Sequence, residues 1–565
     1  MRKLSQHVAT GNDLSSTDLS LRDLVLENVN ISTSTDDTVL LIPSQQVNEA
    51  KLSGVLPRYY GSVSALDGLS GAEIDSRKIT QGMIFFALKG EHVDGHAYCV
   101  AAANNGASLV VIDDLSVIDE VLSLDGFANG RLGLVVTDSV QTTMHRWASA
   151  WRQRIDPLVI GLTGSVGKTT TKEIMTCIAE AAIGQVAKQS TDQAGDLTKK
   201  TSVWSTPGNW NNHFGVPLTV LNMPATTQIA IVEMGMNHSG EIRSLCEISA
   251  PDVGVITAVA AAHTAFFDSI DDIAAAKAEI WEKIPDRGGY VYADQAEGLL
   301  APYLSTVPAH RRTCCRRVSD VSELSAHAAS VYIHTVSESG IDVSIRLPRT
   351  FPSSPGENEA GMAYRWRGKV PVLGGHFSSN LLVAIAALVS GGLEIDAAVL
   401  DSVDWSRVTE SDRRMTYRSG ADGLVIIDDT YNASPTSMRA AIDFTLDAKP
   451  DRDSIVVLGA MAELDETTSI ADHERIGAYC GKRGLKKLYC VSSGDDERST
   501  AHAAAYARGA ISGGLSANNV ECVATHEAAV HAIRSALRSV QNCRVLVKGS
   551  RSARMEQVVR GLTKS

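Results

Sequence analysis

PLVIGLTGSVGKTTTKEI, residues 157–174, is the stretch that decides the fold. It reads as a buried apolar strand, a glycine-rich turn and the opening of a helix. Gly164 and Gly167 let the backbone take positive φ and turn its amides toward an anion, and the helix that follows adds free N–H groups and the positive end of its dipole. In such a cradle Lys168 reaches the β- and γ-phosphates of a nucleotide and the Thr169 hydroxyl ligates Mg²⁺, with Ser165, Val166 and Thr170 completing the loop. The match is TGxxGKTT, because Leu162 stands where the strict GxxxxGK[ST] pattern has its first glycine.

Outward from this stretch the chain alternates strand and helix. IAIVEMG, VGVITAV and YVYAD are further strand-like runs, with a helix expected from Ser269 to Lys283, which implies a parallel sheet with ligands at the C-terminal ends of its strands. The pattern loosens between about His310 and Pro371, where FPSSPGEN at 351–358 marks an exposed loop. GLVIIDDTYNASPTSMRAAI, SIVVLGAM, KKLYCVSS and RVLVKGS then begin a last α/β unit, and MIFFALKG, SLVVIDD and LGLVVTD form a small one ahead of the cradle. The expected division is a poorly ordered leader over 1–57, a first domain over 58–152, a central domain over 153–405 and a last domain over 406–565. The leader expectation rests on the Ser, Thr, Asp and Asn content of those residues.

The totals agree with several domains, since 565 residues exceed one core at roughly 150 residues per domain. A formal net charge of −13, from 65 acids against 52 bases, disfavours nucleic acid and anionic membranes as partners, so an anionic ligand must be held by local structure. The nine cysteines form neither a CxxC knuckle nor a disulfide framework, which fits a reducing cytoplasm. There is no apolar run of about 18 residues, and a monomer without membrane insertion is expected.

Several polar residues lie where such a sheet would bring its ligand. Glu233 ends IAIVEMG and His263 follows VGVITAVAAA, so both can face the phosphates, and both suit a divalent cation; each is also an ordinary strand-end residue in a polar loop. Lys277 lies among alanines in IAAAKAEIWE, either partly desolvated or plainly solvated, and spacing alone favours the second. Asn209, Asn211 and Asn212 cluster in STPGNWNNHFGVPLTVL, as turn residues or as contacts to a purine edge or sugar. Asp428, Asp429, Tyr431, Asn432 and Ser434 crowd a second strand end before Pro435, on a different unit from the cradle, which suggests a reaction closed over between two domains.

Taken together, IDSRKITQGMIFFALKGEHVDGH (74–96), TGSVGKTTTKE (163–173), TPGNWNNHFGVPLT (206–219), EMGMNHSGEI (233–242), AAAKAEIW (274–281), GGHFSSN (374–380), DDTYNASPTSMRAAI (428–442), LGAMAELDE (458–466) with His473, and VLVKGSRSARME (545–556) resemble the Mur ligase family of peptidoglycan synthesis. The resemblance runs from about Gly61 onward. It implies a three-domain α/β architecture, with a central P-loop parallel-sheet ATPase domain and a Rossmann-like C-terminal domain. It also implies an ATP-driven amide ligase: a substrate carboxylate takes the γ-phosphoryl group, and an amine then displaces phosphate from the acyl phosphate. DDTYNASP is similar to the branch that adds D-alanyl-D-alanine to UDP-N-acetylmuramoyl-tripeptide.

By the same resemblance Thr169 and Glu233 hold one Mg²⁺, while His263 and Lys277, the latter as a carbamate, serve a second; Lys168, His263 and Lys277 are the catalytic set. Ser76 and Arg77 fall at the family's uridine-nucleotide loop. His376, Asn380 and Arg414 fall among its ATP contacts, and Asn209, Asn212, Asp429, Tyr431, Asn432 and Ser434 among contacts to substrate. Two departures stand out. AVAAAH has Ala258, Ala260 and Ala261 where the family has Asn, Gly and Pro, and Tyr292 replaces an asparagine that often touches adenine. These motivate one other reading, a catalytically weakened scaffold of the same fold. A nucleotide-driven switch is a separate alternative, against which the 74–96 block argues, since a switch needs no uridine-nucleotide domain.

Overall fold

The computed structural model describes residues 20–31, 57–90, 93–191, 202–260, 266–286, 288–324, 329–337, 339–347, 364–371, 374–375, 377–409, 414–420, 424–448, 452–492, 496–538 and 543–563. Three sheets follow one another along the chain.

The first sheet contains β1 (Asn30–Ile31), β2 (Arg58–Tyr60), β3 (Gly71–Glu73), β4 (Met83–Phe86), β5 (Leu109–Ile112) and β6 (Gly133–Val136), in the order β1-β2-β6-β5-β4-β3. All its pairs are parallel except β2 with β6. A poorly ordered leader over 1–57 does not hold for residues 20–31. Helix α1 (Leu21–Asn28) starts at Ser20, whose hydroxyl accepts from the Asp23 N–H at 3.2 Å, and buries Leu21, Leu24 and Val25. Those three side chains share a core with Trp147 and Trp151 of α2 (Val140–Ile155). The apolar positions of LRDLVLEN sit at helical spacing inside a polar composition, which is why composition alone hides them. Residues 1–19 and 32–56 lie outside the described residues.

The second sheet has nine strands: β7 (Leu158–Thr163), β8 (Ser202–Ser205), β9 (Thr227–Glu233), β10 (Val253–Ile256), β11 (Gly289–Ala293), β12 (Arg312–Val318), β13 (Ala329–Ser337), β14 (Gly340–Leu347) and β15 (Tyr364–Val370). Its order is β15-β14-β13-β12-β11-β10-β7-β9-β8. Strands β7 to β13 are parallel, and β14 and β15 add antiparallel pairs at one edge. The loosened stretch after His310 is thus a sheet extension. In β14 buried Ile341, Val343, Ile345 and Leu347 alternate with Asp342, Ser344 and Arg346, the period of a half-covered strand. The FPSSPGEN loop lies outside the described residues. From β7 the chain runs through α3 (Lys168–Thr191) to the β8 edge, returns through β9, and crosses to the other side of β7 at β10. The crevice between the C-terminal ends of β7 and β10 is therefore where ligands of such sheets collect.

Several contacts join the first two units, among them Arg152 to the Ser249 carbonyl at 3.0 Å. The Trp151 indole N–H donates to Met223 O at 2.9 Å, and the Asn222 side chain pairs with Ala72 like a neighbouring strand, accepting from its N–H at 3.1 Å and donating to its carbonyl at 2.8 Å.

The third sheet contains β16 (Thr416–Ser419), β17 (Val425–Asp429), β18 (Asp453–Leu458), β19 (Lys487–Val491), β20 (Val520–Val523) and β21 (Cys543–Lys548), in the order β16-β17-β21-β18-β19-β20. Only β16 is antiparallel to its neighbour. Among the described residues no helix is long and apolar enough to cross a membrane.

Candidate functional site

The cradle forms at the crossing of β7 and β10. Gly164 has φ +153° and Gly167 φ +85°, as the sequence requires. The loop is pinned from β10: Ser165 N donates to Ala258 O at 2.9 Å, the Ser165 hydroxyl exchanges hydrogen bonds with Ala260, and the Thr257 hydroxyl donates to Val166 O at 2.7 Å. Alanines at 258 and 260 serve here through their backbone alone. Helix α4 (Gly215–Leu221), α5 (Glu241–Ser249), α6 (Ile270–Ala278) and α7 (Phe377–Ser390) surround the sheet. Asn380 of α7 lies against the loop so closely that a Cβ on Gly167 would stand 2.8 Å from its Oδ1. Thr170 opens α3 and is half-buried.

Glu233, at the end of β9 and 1% exposed, turns its carboxylate into the same crevice. Its Oε1 accepts from the Thr169 hydroxyl at 3.2 Å and from Asn211 Nδ2 at 2.8 Å, while Oε2 is buried with no hydrogen-bond partner among the described residues. An orphaned carboxylate oxygen beside a threonine hydroxyl is the donor chemistry of a hard divalent cation. The asparagine loop is held from below by Lys172. This lysine is fully buried and donates to Thr206 O at 2.7 Å and Gly208 O at 3.2 Å, with Glu173 2.8 Å away. Asn209 is exposed, and the Asn212 oxygen accepts from the N–H groups of Phe214 and Gly215 at the start of α4.

Two lysines converge on the crevice. Lys168 donates to Gly164 O at 2.6 Å; burial lowers its pKa, Glu233 opposes that, Arg414 adds to it and Glu463 opposes it again. Lys277, in the last turn of α6, is 1% exposed, so it is not the plainly solvated residue its spacing favours. Burial, and secondarily the charge of Lys168, holds its ammonium well below the ordinary lysine range, and among the described residues nothing hydrogen-bonds to its Nζ. His263 and His376 lie outside the described residues. Tyr292, 4% exposed, packs its ring edge-on to Trp281 with centroids 5.9 Å apart.

The third unit faces this crevice with its own strand ends. Asp429 ends β17 and Lys548 ends the neighbouring β21, in register. Lys548 Nζ donates to Asp429 Oδ2 at 2.6 Å and Asn432 O at 2.8 Å, and Asp429 Oδ1 accepts from Met415 N at 3.2 Å. The guanidinium of Arg414 stacks on the Tyr431 ring at 3.8 Å. Asn432 donates to Glu463 at 3.2 Å, in the loop after β18. Ser434 caps α8 (Pro435–Asp447) in a reciprocal box with Ser437. Arg414 and Glu463 both act on the charge of Lys168, so the two strand-end clusters share one field.

In the first unit Ser76 is buried and its carbonyl accepts from Asn105 Nδ2 at 2.8 Å. Arg77 is exposed and chelates Asp75 through two 2.8 Å hydrogen bonds, which bring that carboxyl down to about 2. The adjacent Lys78 lies over the Trp210 ring at 5.7 Å, so this loop meets the asparagine loop. The same unit holds a cavity of about 420 Å³ lined by Lys89, Asp94, His96, Asp113, Asp114 and Leu115.

Lys172, Lys548 and Glu463 lie inside motifs the sequence singles out, yet their roles are not readable there. The available signal was a charge at the end of an apolar run, as in RVLVK, or four residues beyond Lys168 on a buried helix face.

A phosphate cradle in a parallel sheet, accompanied by two further α/β units, defines a P-loop nucleotide-binding protein built on three sheets. Family profiles cover the same three units: the Mur ligase family catalytic domain over residues 69–155, the Mur ligase middle domain over 162–388 and the Mur ligase glutamate ligase domain over 413–551. The chain belongs to the Mur ligase family. It is 30% identical over 424 residues to the UDP-N-acetylmuramoyl-tripeptide–D-alanyl-D-alanine ligase of Bacillus subtilis, covering 74% of this chain and 79% of that one. It is 30% identical over 516 residues to the ligase of the same name from Mycobacterium bovis, covering 87% and 91%. Among solved structures it is similar in fold to the MurF ligase of Thermotoga maritima in complex with ADP, with a TM-score of 0.64 and 24% identity over 88% of this chain and 98% of that one.

Proposed function

We propose that this chain uses ATP to join D-alanyl-D-alanine to the stem carboxylate of UDP-N-acetylmuramoyl-tripeptide, a step of cytoplasmic peptidoglycan precursor synthesis. The observation that carries the reading is the phosphate cradle at Gly164–Thr170 with the Glu233 carboxylate hydrogen-bonded to Thr169 beside it, in a chain 30% identical to ligases named for that reaction. A carboxylate is a poor electrophile, so it first attacks the γ-phosphorus, ADP departs, and the acyl phosphate offers phosphate as a leaving group. The dipeptide amine then adds to the acyl carbon, and the tetrahedral intermediate collapses as the C–O bond to phosphate breaks.

Each residue has a task in that sequence. Gly164 to Thr170 bind the triphosphate through backbone N–H groups, and Lys168 neutralises charge that spreads over the transferring phosphoryl group. Asn380 and Arg414 contact the nucleotide from either side, with His376 assigned by its motif alone. Ser76 and Arg77 take the uridine end, Asn209 and Asn212 the middle of the substrate, and Asp429, Tyr431, Asn432 and Ser434 the face that receives the dipeptide. Bound Mg²⁺, two ions by the family's pattern, supplies positive charge at the phosphates.

The residues fit that metal. Thr169 and the orphaned Oε2 of Glu233 are oxygen donors, and Lys277 as a carbamate becomes one, which also removes a like charge from beside Lys168. His263 completes this set by its motif. Three sheets support a division into three units near residues 153 and 406, with α1 and β1 adding residues 20–31 to the first. A monomer without membrane insertion is part of the same reading.

Incubation of the purified chain with ATP, Mg²⁺, both substrates and their single omissions tests the proposal. Phosphate release that depends on the dipeptide, with a product heavier by one dipeptide less water, is the expected result. Phosphate release indifferent to the dipeptide overturns it in favour of a nucleotide switch, and no release favours a scaffold.

A further inference from the structure

Helix α5 begins without a cap of its own. Its first turn follows Gly240, which has no side chain to offer, and the free N–H groups there need an acceptor. The acceptor comes from another element. Glu279, in the turn that leaves α6 two residues after Lys277, is 3% exposed and directs its carboxylate at that helix start. Oε1 accepts from Gly240 N at 2.7 Å and the Ser239 hydroxyl at 3.1 Å, and Oε2 accepts from Arg243 N at 3.1 Å. Arg243 lies 3.8 Å from the same carboxylate but spends its fork on Glu282, at 2.6 and 2.8 Å. A negative group at a helix N-terminus gains from both the hydrogen bonds and the dipole.

We propose that Glu279 is a positioning residue of the phosphoryl-transfer site, a latch that fixes the helix carrying Lys277 against the loop that leaves Glu233. This rests on the reading of Glu233 and Lys277 as metal-holding residues. Glu233 ends β9 and the latched Ser239 and Gly240 follow it in the next loop, while Lys277 and Glu279 share one helical turn. One carboxylate thus ties together the two segments from which the donors project. Without it, two backbone N–H groups and a hydroxyl lose their acceptor, and the α6 segment is held to α5 by the more exposed Arg243–Glu282 pair and by small apolar contacts at Ile273, Ala274 and Ala276.

The test uses Mn²⁺ as the probe, titrated by electron paramagnetic resonance into the full chain saturated with ADP, for Glu279→Ala, Glu279→Gln and Glu233→Gln. Glu279→Ala is expected to weaken Mn²⁺ binding by about tenfold or more. The Mg²⁺ concentration for half-maximal phosphate release should rise alongside it, with an unchanged KM for the uridine substrate. Glu279→Gln, which keeps one amide oxygen as an acceptor, should recover part of the loss and also guards against a misfolded alanine variant. A folded Glu279→Ala that binds Mn²⁺ like the parent while Glu233→Gln does not overturns the latch and leaves the metal reading standing. Unaltered binding in Glu233→Gln overturns the metal reading and the latch with it. An equal rise in the uridine-substrate KM reduces Glu279 to a general structural role and overturns the proposal.

Discussion

Lys548 and Asp429, 119 positions apart in sequence, meet at the ends of adjacent parallel strands with Nζ 2.6 Å from Oδ2. Lys548 is 1% exposed and Asp429 9%, so the pair is withdrawn from water. Each partner is also engaged by the backbone: Asn432 O accepts from the lysine and Met415 N donates to the aspartate. The pair therefore sets the spacing between the loop that carries Tyr431 and Asn432 and the segment that brings Arg414 over Tyr431.

Lys548→Met leaves a buried carboxylate unpaired, a change that costs about 3–5 kcal/mol. Chemical unfolding should show a loss of that order. The double variant Lys548→Met with Asp429→Leu should regain much of the stability without regaining ligase activity, because the loops keep their packing and lose their register. Equal stability of Lys548→Met and the parent would show that the pair contributes nothing net.

Much of the fold is legible because an apolar run ending in a polar residue marks a strand that delivers that residue to the C-terminal edge of a parallel sheet. LVIGLTG, IAIVEMG and VIIDD deliver Thr163, Glu233 and Asp429 in that way. The antiparallel extension over β13 to β15 escapes the reading because its alternating strand, IDVSIRL, is followed by a polar loop that dominates local composition. Helix α1 escapes because a short amphipathic element needs Trp147 and Trp151, more than a hundred residues later, to cover it. Site roles are less legible than strands, since they depend on pairing. Three asparagines are equivalent on paper, yet only Asn211 reaches Glu233, while Asn212 is spent on capping a helix.

That division predicts three different phenotypes from one loop. Asn211→Leu removes a hydrogen bond that orients Glu233, and kcat should fall by about tenfold to a hundredfold with little change in melting temperature. Asn212→Ala removes the cap of α4 and should cost about 1 kcal/mol of stability with kcat nearly intact. Asn209→Ala, at an exposed position, should raise the KM for the uridine substrate alone if it contacts that substrate. Initial-rate kinetics beside thermal unfolding separates the three. A kcat loss confined to Asn212→Ala would reverse the assignment.

Gly167→Ala probes the cradle from the side of α7. The added Cβ would stand 2.8 Å from Asn380 Oδ1 at a residue with φ +85°, so the loop or α7 has to shift, and the left-handed conformation itself costs about 1–2 kcal/mol in a non-glycine residue. The KM for ATP should rise steeply while the KM for the uridine substrate holds. Gly184→Ala in α3, where an added Cβ meets nothing within 4 Å, should stabilise the chain by about 0.5–1 kcal/mol and leave both constants alone. Matching kinetics for the two variants would remove the argument that Asn380 crowds the cradle.

The last unit carries an acid-sensitive pair. His473 is fully buried, donates through Nδ1 to Ser469 O at 2.6 Å and accepts from Met461 N at Nε2 at 3.0 Å, so its neutral form is the one the fold uses. Its ring stacks on that of His502 at 3.9 Å, and Ser469 lies 3.0 Å from His502 Nε2. Burial brings the pKa of His473 from 6.5 down to about 4, aided by the charges of His502 and Arg498 against the bond to Ser469. Because the folded value lies below the unfolded one, this contribution to stability is complete above about pH 6.5 and is lost as pH falls toward 4. Over that window the unfolded chain binds the extra proton, and the loss amounts to about 3 kcal/mol at most. Met461 sits in the loop that also carries Glu463, so that loop should loosen before the central sheet does. Urea unfolding followed by circular dichroism at several pH values between 7.5 and 4.5 should give a falling stability for the parent. For His473→Phe it should give a lower stability at pH 7.5 and a flatter slope, by close to one proton. An unchanged slope in His473→Phe would assign the acid sensitivity to other groups.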